Sequence, residues 1–292
     1  MDRYQKAVAD SKVTTDKEII KSRIEKILEK VPDYSNQEVY RFLFSSIDLT
    51  TLSTEDSQQS VAAFTKRVND FDEEYPQLPS VAAICVYSNF AEVVKSNLDV
   101  TGVDVAVVAG GFPSGQTFTA VKVADVALAI AEGADEVDVV MNVGYLRDGN
   151  YEELCDELIE LKHTAKKAPL KVILETGALR SPEEIKTASV LALWSEADFI
   201  KTSTGKIYPG ASLEAAYVMC CCIKEYYDRH GIRVGFKASG GISTTEDAVK
   251  YYTIVKEVLG EDWLTNEYFR IGASRLANNL FHDISGTNEN PF

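Results

Sequence analysis

The sequence predicts an α/β protein in which eight parallel strands close into a (β/α)8 barrel behind an N-terminal helical extension. Short runs rich in β-branched residues alternate with longer amphipathic stretches, the runs number eight, and no linker interrupts them. Length alone does not separate one barrel from two small domains, because such barrels commonly exceed about 200 residues. A doubly wound open sheet is the structural alternative, and the count of eight favours closure.

The chain divides into three predicted regions. Residues 1–40 read as a helical extension, since residues 17–30 repeat isoleucine at helical spacing and Pro32 breaks the pattern. We expect this helix to close one end of the barrel. The barrel domain is predicted over residues 41–284, and residues 285–292, rich in Ser, Gly, Asn and Thr, are predicted to be a mobile tail.

The eight β-rich runs are separated by stretches of helical period, among them residues 117–132 and 151–167. A third, residues 181–193, opens with Ser181 as an N-cap and Pro182 at the first helical position. The predicted strands cover residues 44–50, 82–88, 103–109, 136–142, 171–177, 198–204, 234–240 and 269–274.

Charge and cysteine patterns limit the classes of partner and location. The formal net charge of −15 argues against nucleic acid, which is bound by clustered Lys and Arg, and an anionic substrate must be attracted by local cations. The first 20 residues are too polar and too acidic to be expected to act as a signal peptide, and no apolar run approaches the length of about 20 residues that spans a bilayer. Consecutive cysteines at Cys220–Cys222 suit a reduced protein. We expect a cytoplasmic enzyme or binding protein for small molecules, with no membrane partner; a homodimer is compatible with the sequence.

Alternation along the strands places charged side chains inside the barrel. Neighbouring residues of a strand face opposite sides, and in four strands the apolar set suits the helical layer. The opposite set then points into the barrel near the carboxyl ends of the strands, where such barrels place catalytic groups. These inward residues are Asp48, Thr50, Asp138, Asn142, Lys201 and Lys237.

Lys201 and Lys237 lie on neighbouring strands and suit an activated amine. A free lysine has a pKa of about 10.4, so a nucleophile at pH 7 needs that pKa lowered by about three units. A second ammonium about 6 Å away, at an effective dielectric of about 20, supplies about two of them, and desolvation supplies the rest. The spacing does not say which lysine is the nucleophile. The alternative is a structural ion network, although hydrophobic layers would fill that space more stably.

Glycine-bearing loops after the last three strands predict a phosphate site. In such barrels the loops after the seventh and eighth strands, with a following helix N-terminus, recurrently bind phosphate. The residues are Thr204, Gly205 and Lys206 after the sixth strand, Gly240 and Gly241 after the seventh, and Gly272 and Ser274 at the end of the eighth. No cofactor is predicted, and three scattered histidines disfavour a metal site.

These segments together resemble the deoxyribose-phosphate aldolase family. The resemblance implies reversible cleavage of 2-deoxy-D-ribose 5-phosphate to D-glyceraldehyde 3-phosphate and acetaldehyde through a lysine Schiff base, in deoxyribonucleoside catabolism. The matching stretches are DLTTL (48–52), AAICVY (82–87), GADEVDVVMNVG (133–144), LKVILETG (170–177), ADFIKTSTGK (197–206), VGFKASGG (234–241) and FRIGAS (269–274).

The resemblance also implies roles for individual residues. Lys201 matches the Schiff-base lysine, Lys237 its pKa-lowering neighbour, and Asp138 the acid of the proton relay. Asp48 and Thr50 match polar residues of the substrate pocket. The phosphate-binding positions map onto Gly205, Lys206, Gly240, Gly241, Gly272 and Ser274. Cys85 and Thr204 are added as candidate substrate contacts, although a buried cysteine is more often a small core residue.

Three departures from the family pattern and two competing functions stay open. Residues 237–241 read KASGG where some members read KPAGG. Arg275 stands where many members carry a second serine, and it either contacts phosphate or faces solvent. Phe292 ends the chain where some bacterial members have a tyrosine thought to reach the active site. The competing functions are another Schiff-base aldolase or transaldolase-like barrel acting on a different sugar phosphate, and a non-catalytic barrel that binds a sugar phosphate.

Overall fold

The computed structural model describes residues 2–292, and its centre is a closed barrel of eight parallel strands. Each strand pairs with the next along the chain and β8 pairs with β1, so this is a TIM barrel rather than a doubly wound open sheet. All eight predicted strands are confirmed. They are β1 (Ile47–Thr50), β2 (Ala83–Tyr87), β3 (Asp104–Ala109), β4 (Glu136–Val140), β5 (Leu170–Ile173), β6 (Phe199–Lys201), β7 (Gly235–Ser239) and β8 (Phe269–Ala273).

Helices surround and precede the barrel. The three helices predicted between strands, over residues 117–132, 151–167 and 181–193, are confirmed, and the Ser181 side chain caps the last of them by accepting from the Glu184 N–H. The helices are α1 (Arg3–Asp10), α2 (Lys17–Leu28), α3 (Val31–Tyr34), α4 (Gln37–Ser45), α5 (Gln58–Glu74), α6 (Ala91–Asn97), α7 (Thr119–Ala131), α8 (Val143–Asp148), α9 (Tyr151–Ala165), α10 (Pro182–Trp194), α11 (Leu213–His230), α12 (Thr245–Leu259) and α13 (Arg275–Ser285).

The apolar residues of the strands decide which side faces the helices. In β4, Val137 and Val139 are fully buried in the main hydrophobic core, and Asp138 between them faces the opposite side. Ile47 and Leu49 do the same in β1. Burying an aliphatic side chain of this size stabilises the fold by about 1.5–3 kcal/mol. The apolar residues of each strand therefore pack against the surrounding helices, and the charged residues of the same strands point into the barrel.

The N-terminal helices lie on the outer helical layer. Helix α1 packs on α10, and α2 packs on α11 and α12 with Ile20 and Ile24 buried. The expectation that this helix closes one end of the barrel is therefore wrong, because its apolar stripe is covered by the outer surface of two barrel helices. Helix α4 leads directly into β1. Within residues 2–292, no helix combines the length and apolar character needed to cross a bilayer.

Phe292 lies at the amino-terminal end of the barrel. Its ring centroid is 4.9 Å from that of Phe71 and 5.9 Å from that of Phe44, which stands just ahead of β1. Its N–H donates to Asn278 Oδ1 at 3.0 Å and its carbonyl accepts from Asn278 Nδ2 at 2.8 Å. The ring is thus far from the carboxyl ends of the strands. The mobility that composition predicts for residues 285–292 stays a prediction.

Candidate active site

The interior of the barrel is divided into an apolar half and an ionic half. β2 and β3 contribute a small apolar cluster, and the remaining strands contribute charged side chains that are almost completely buried. The apolar half consists of Leu52, Ala83, Cys85, Ala106 and Val108. The ionic half consists of Asp48, Glu136, Asp138, Lys171, Lys201, Lys237 and Arg270.

Three of the predicted residues meet at one carboxylate oxygen. Lys201 and Lys237 are partners in register on β6 and β7, so their side chains point the same way from adjacent strands. Both Nζ atoms donate to Asp138 Oδ2 at 2.7 Å. The second oxygen, Asp138 Oδ1, makes no hydrogen bond with any residue in the range 2–292. The three side chains therefore form a compact acid–base group with one carboxylate oxygen left over.

The two lysines of this group have opposite pKa shifts. Burial lowers the pKa of Lys201, because the ammonium loses its hydration; Asp138 opposes this shift and Lys237 adds to it. For Lys237, burial also favours the neutral form, but the carboxylates of Asp138 and Asp48 outweigh it and raise the pKa. Lys201 is therefore the amine that can lose its proton. Burial is the largest cause of the shift, and the second ammonium assists it, which reverses the order expected from sequence.

Asp138 stays ionised in spite of complete burial. Burial alone would raise the pKa of its carboxyl group, but Lys201, Lys237 and Lys171 together hold that pKa well below its usual range. Asp48, which bonds Lys237 and Arg270, is likewise kept ionised, because its pKa is lowered against the effect of burial. Both carboxylates are consequently acceptors of hydrogen bonds at neutral pH.

A lower layer of ion pairs continues this group towards the amino-terminal end of the barrel. Lys171 Nζ contacts Glu136, lies 3.4 Å from Asp138 Oδ1 and 3.8 Å from Asp48 Oδ2. Arg270 binds Asp48 at 2.7 Å and Glu136 at 2.8 Å. The alternative that the sequence analysis disfavoured, a structural ion network, is therefore present below the acid–base group. The three residues of the acid–base group belong to the upper layer of this network.

Sequence reasoning missed Lys171, Glu136 and Arg270, although the rule it used would have found them. Glu136 has the parity of Asp138 on β4, and Lys171 on β5 pairs in register with Asp138. Arg270 pairs in register with Lys237 across β7 and β8. The sequence analysis considered β1, β4, β6 and β7, and in β4 it started from Val137. Extended to Glu136 at the start of β4 and to β5 and β8, the alternation predicts all seven charged groups.

A cavity of about 320 Å³ opens above Lys201 at the carboxyl ends of the strands. Lys206 and Arg275 line it together with Lys201, and no carboxylate does among the described residues. Because the chain carries a net charge of −15, this local excess of positive charge marks the cavity as a site for an anion. The lining residues predicted from sequence are Thr50, Lys201, Thr204, Gly205, Lys206, Gly240, Gly241, Gly272 and Ser274; Arg275, Ser239 and Ser243 also line it.

Glycines keep the cavity floor open. Gly240 and Gly241 have φ of 88° and 82°, a region that side chains rarely occupy. A Cβ on Gly272 would lie 2.9 Å from Ser239 Cβ and 3.2 Å from Lys237 Cε. Position 272, within β8, therefore needs glycine so that β7 and β8 can approach each other and Lys237 can lie beneath the cavity.

Two predicted substrate contacts do not line the cavity. Asp48 lies below it within the ionic half, and the backbone carbonyl of Asp48 accepts from the Thr50 hydroxyl at 2.7 Å. Cys85 lies in the apolar half beside Leu52, where burial raises the pKa of its thiol. Both are close to the acid–base group without facing the open space above it.

Further polar contacts fix the rim of the cavity. Glu175, which sequence reasoning missed, accepts from the Thr204 hydroxyl at 2.5 Å and from the Thr204 N–H at 3.1 Å. Lys206 Nζ donates to the carbonyl of Leu52, on the opposite side of the mouth. Arg275 makes no hydrogen bond or ion pair with the residues that the structure describes, so its guanidinium is available to a ligand.

The known proteins that this chain resembles are aldolases. The model of the DeoC/LacD family of aldolases matches residues 42–258. The deoxyribose-phosphate aldolase of Mus musculus is 38% identical over 259 residues, covering 82% of this chain and 80% of its own, and that of Homo sapiens is 36% identical over 259 residues with the same coverage. A solved deoxyribose phosphate aldolase from Aeropyrum pernix, described as tetrameric, shares the fold with a TM-score of 0.68 at 24% identity, covering 89% of this chain and 98% of its own. The chain belongs to the DeoC/LacD family of aldolases and is a lyase.

Proposed function

We propose that this aldolase cleaves 2-deoxy-D-ribose 5-phosphate to D-glyceraldehyde 3-phosphate and acetaldehyde, and runs the reverse addition, through a Schiff base on Lys201. The observation that carries the proposal is a buried amine at the floor of an anion-binding cavity, hydrogen-bonded to a carboxylate that a second lysine shares. Named relatives at 36–38% identity support the substrate. A role in deoxyribonucleoside catabolism follows from that substrate.

The reaction begins with the neutral amine of Lys201, which attacks the C1 aldehyde of the open-chain sugar. The carbinolamine loses water to give an iminium ion, and this ion withdraws electrons from the bond between C2 and C3. Removal of the C3 hydroxyl proton then breaks that bond. Glyceraldehyde 3-phosphate leaves, and C1 and C2 stay on Lys201 as an enamine, which is protonated at C2 and hydrolysed to acetaldehyde.

Asp138 carries the protons of this reaction, and Lys237 holds Asp138 in position. Asp138 is ionised and keeps Oδ1 without a hydrogen bond, so it can accept a proton, directly or through water, and return it to C2 of the enamine. Lys237 stays protonated and holds the carboxylate in place. Its charge also disfavours the protonated form of Lys201. Asp48 fixes Lys237 from the other side.

The glycine loops and the cations at the mouth bind the 5-phosphate. Backbone N–H groups of Gly205, Gly240 and Gly241 can approach a phosphate closely because no side chain intervenes. Lys206 and Arg275 supply the positive charge that the chain as a whole lacks. Phosphate bound at this edge places the aldehyde end of a five-carbon sugar towards Lys201, at the opposite side of the same cavity.

Borohydride trapping tests the mechanism. Acetaldehyde and borohydride should reduce a stable two-carbon adduct onto Lys201, located by peptide mass mapping. Lys201→Leu and Lys201→Arg should take up no adduct and lose turnover, Arg because its guanidinium stays protonated. An adduct on Lys237 instead would reverse the assigned roles, and the absence of any adduct would favour the non-catalytic binding barrel.

Substrate profiling separates the remaining alternative. Deoxyribose 5-phosphate should be cleaved with a far higher kcat/KM than fructose or sedoheptulose phosphates. A preference for either of the latter would identify a Schiff-base aldolase of other specificity.

Two points of organisation are proposed with the function. Residues 41–284 form the catalytic unit and residues 1–40 an extension of it, although α4 crosses this boundary. The chain forms a homodimer; a relative described as tetrameric supports self-association in the family. Light scattering of the purified protein should give twice the chain mass.

A further inference from the structure

The buried charges beneath Lys201 balance one another without it. Apart from Lys201, the ionic half of the barrel contains three carboxylates, Asp48, Glu136 and Asp138, and three cations, Lys171, Lys237 and Arg270. Their side chains are at most 5% exposed and are joined by ion pairs. A protonated Lys201 would therefore add an unbalanced positive charge to this group, and a neutral Lys201 leaves the buried charges balanced.

This balance matters because Asp138 opposes the chemistry proposed for Lys201. A carboxylate 2.7 Å from an amine favours the ammonium form. Asp138 raises the pKa of Lys201 less when other cations neutralise the charge of the carboxylate. Lys237 does so at Oδ2, and Lys171 approaches Oδ1 at 3.4 Å while also contacting Glu136 and Asp48. Among the described residues, Lys171 is the one cation within 4 Å of all three carboxylates.

We propose that Lys171 is a positioning residue whose charge, acting through Asp138, allows Lys201 to lose its proton without unbalancing the barrel interior. The inference rests on the proposed role of Lys201 as the reacting amine. Lys171 itself does not line the cavity and touches no reacting atom. Its ammonium is held by Glu136 below the acid–base group of Asp138, Lys201 and Lys237. It lies 5.7 Å from the centre of the Phe199 ring.

Other titratable groups near Lys201 leave this count unchanged. The Cys85 thiol stays neutral, because burial raises its pKa. Asp104, 3.7 Å from Arg270, lies at the amino-terminal rim with 45% of its side chain exposed, so water screens it. Glu175 is held outside the network by Thr204, and the cations Lys206 and Arg275 lie above, at the open mouth.

The test is the direction in which the low-pH limb of kcat/KM moves when single charges of the ionic half are removed. Lys171→Met leaves one carboxylate unbalanced, so Lys201 should hold its proton to a higher pH. Strand spacing and the two-residue offset place the two α-carbons about 8 Å apart, and the contacts of both amines with Asp138 keep the two Nζ atoms within about the same distance. At an effective dielectric of about 20, one charge at that distance shifts a pKa by about 1.5 units. The low-pH limb of kcat/KM should move upward by at least one unit.

Glu136→Gln removes one negative charge instead, so the same limb should move to lower pH. The double variant Lys171→Met with Glu136→Gln contains two carboxylates and two cations, and its limb should return towards that of the parent. Lys171→Arg keeps the charge and should leave the limb within a few tenths of a unit. If Lys171→Met does not fold, the downward shift in Glu136→Gln still tests the balance.

The readout is the exchange of acetaldehyde methyl protons with solvent deuterium, which reports the enamine and needs no phosphate. Lys122→Met is the matched control, because it breaks a buried ion pair with Glu157 (2.5 Å) in the helical layer between α7 and α9. It should destabilise the fold and leave the limb in place. An unmoved limb in Lys171→Met, or shifts of the same sign in both single variants, would overturn the inference. Failure of the parent to form an adduct on Lys201 would instead overturn the proposed function.

Discussion

Replacing Lys237 with Leu is the sharpest test of how the reacting amine is prepared. The Nζ atoms of Lys201 and Lys237 each lie 2.7 Å from Asp138 Oδ2, so they are no farther apart than twice that distance. For a separation of about 5 Å and an effective dielectric of about 20, their repulsion is about 3.3 kcal/mol, or about 2.4 pKa units. Removing Lys237 also takes one cation from Asp138. Both changes raise the pKa of Lys201.

The sign of the effect on activity follows from the form that reacts. Lys201 acts as the neutral amine, so the rate rises with pH as its ammonium is deprotonated, and a raised pKa moves that limb to higher pH. Leu preserves the desolvation that is the largest cause of the present shift. We therefore expect an upward movement of more than one unit rather than a return to the value of a free lysine.

The assay is the pH dependence of kcat/KM for cleavage and for acetaldehyde proton exchange. Lys237→Arg should keep the limb near its parent position, because the charge remains. If Lys237→Leu lowers the rate throughout but leaves the limb unmoved, then Lys237 works by hydrogen bonding and orientation, and the electrostatic reasoning is refuted.

Other regions give further expectations. Arg275→Ala and Lys206→Ala should each reduce kcat/KM for deoxyribose 5-phosphate by about tenfold to a hundredfold, because each loses a charge-assisted hydrogen bond; equal losses with unphosphorylated deoxyribose would mean a structural role. Deleting Asn290–Phe292 should change the rate by less than about tenfold, since the Phe292 ring packs at the amino-terminal end of the barrel, and a hundredfold loss of steady-state turnover would show that the tail takes part in chemistry. The pKa values of Asp48 and Asp138 are lowered in the folded state, so the unfolded chain binds more protons below about pH 4. Stability should therefore be fully present above that pH and fall as the pH decreases, and denaturant midpoints that stay constant down to about pH 2 would contradict this.

Much of the fold and of the upper part of the site could be predicted from sequence. Period-two alternation in β1, β4, β6 and β7 is enforced by burial of aliphatic side chains against the helices, so the facing of Asp138 and Lys201 follows from local pattern alone. The glycine loops were predictable for a similar reason, because a left-handed backbone at Gly240 and Gly241 restricts the residue type.

The other features of the fold and the site depend on contacts between residues that are far apart in the sequence, and local sequence patterns do not reveal such contacts. The closeness of Lys171 to Asp138 arises from strand register, which is set by closure of the whole sheet. Burial as the leading cause of the Lys201 shift depends on how completely the cavity floor is packed. The path of α2 along α11 and α12 required knowing which helical surfaces were left apolar after the barrel had formed.

The divided interior constrains how this chain can change over evolution. On the side of Cys85 and Ala106, one aliphatic residue can replace another at a cost set by volume, usually below about 1.5 kcal/mol when the volume is conserved. On the ionic side, replacing one charged residue leaves its partner buried without a counter-charge, which lowers the free energy of unfolding by about 3–5 kcal/mol. Since a whole domain is stable by only about 5–15 kcal/mol, such a step removes a large share of the stability of the fold. Substitutions among Glu136, Lys171 and Arg270 should therefore be fixed in pairs, whereas the strands beside them drift one residue at a time.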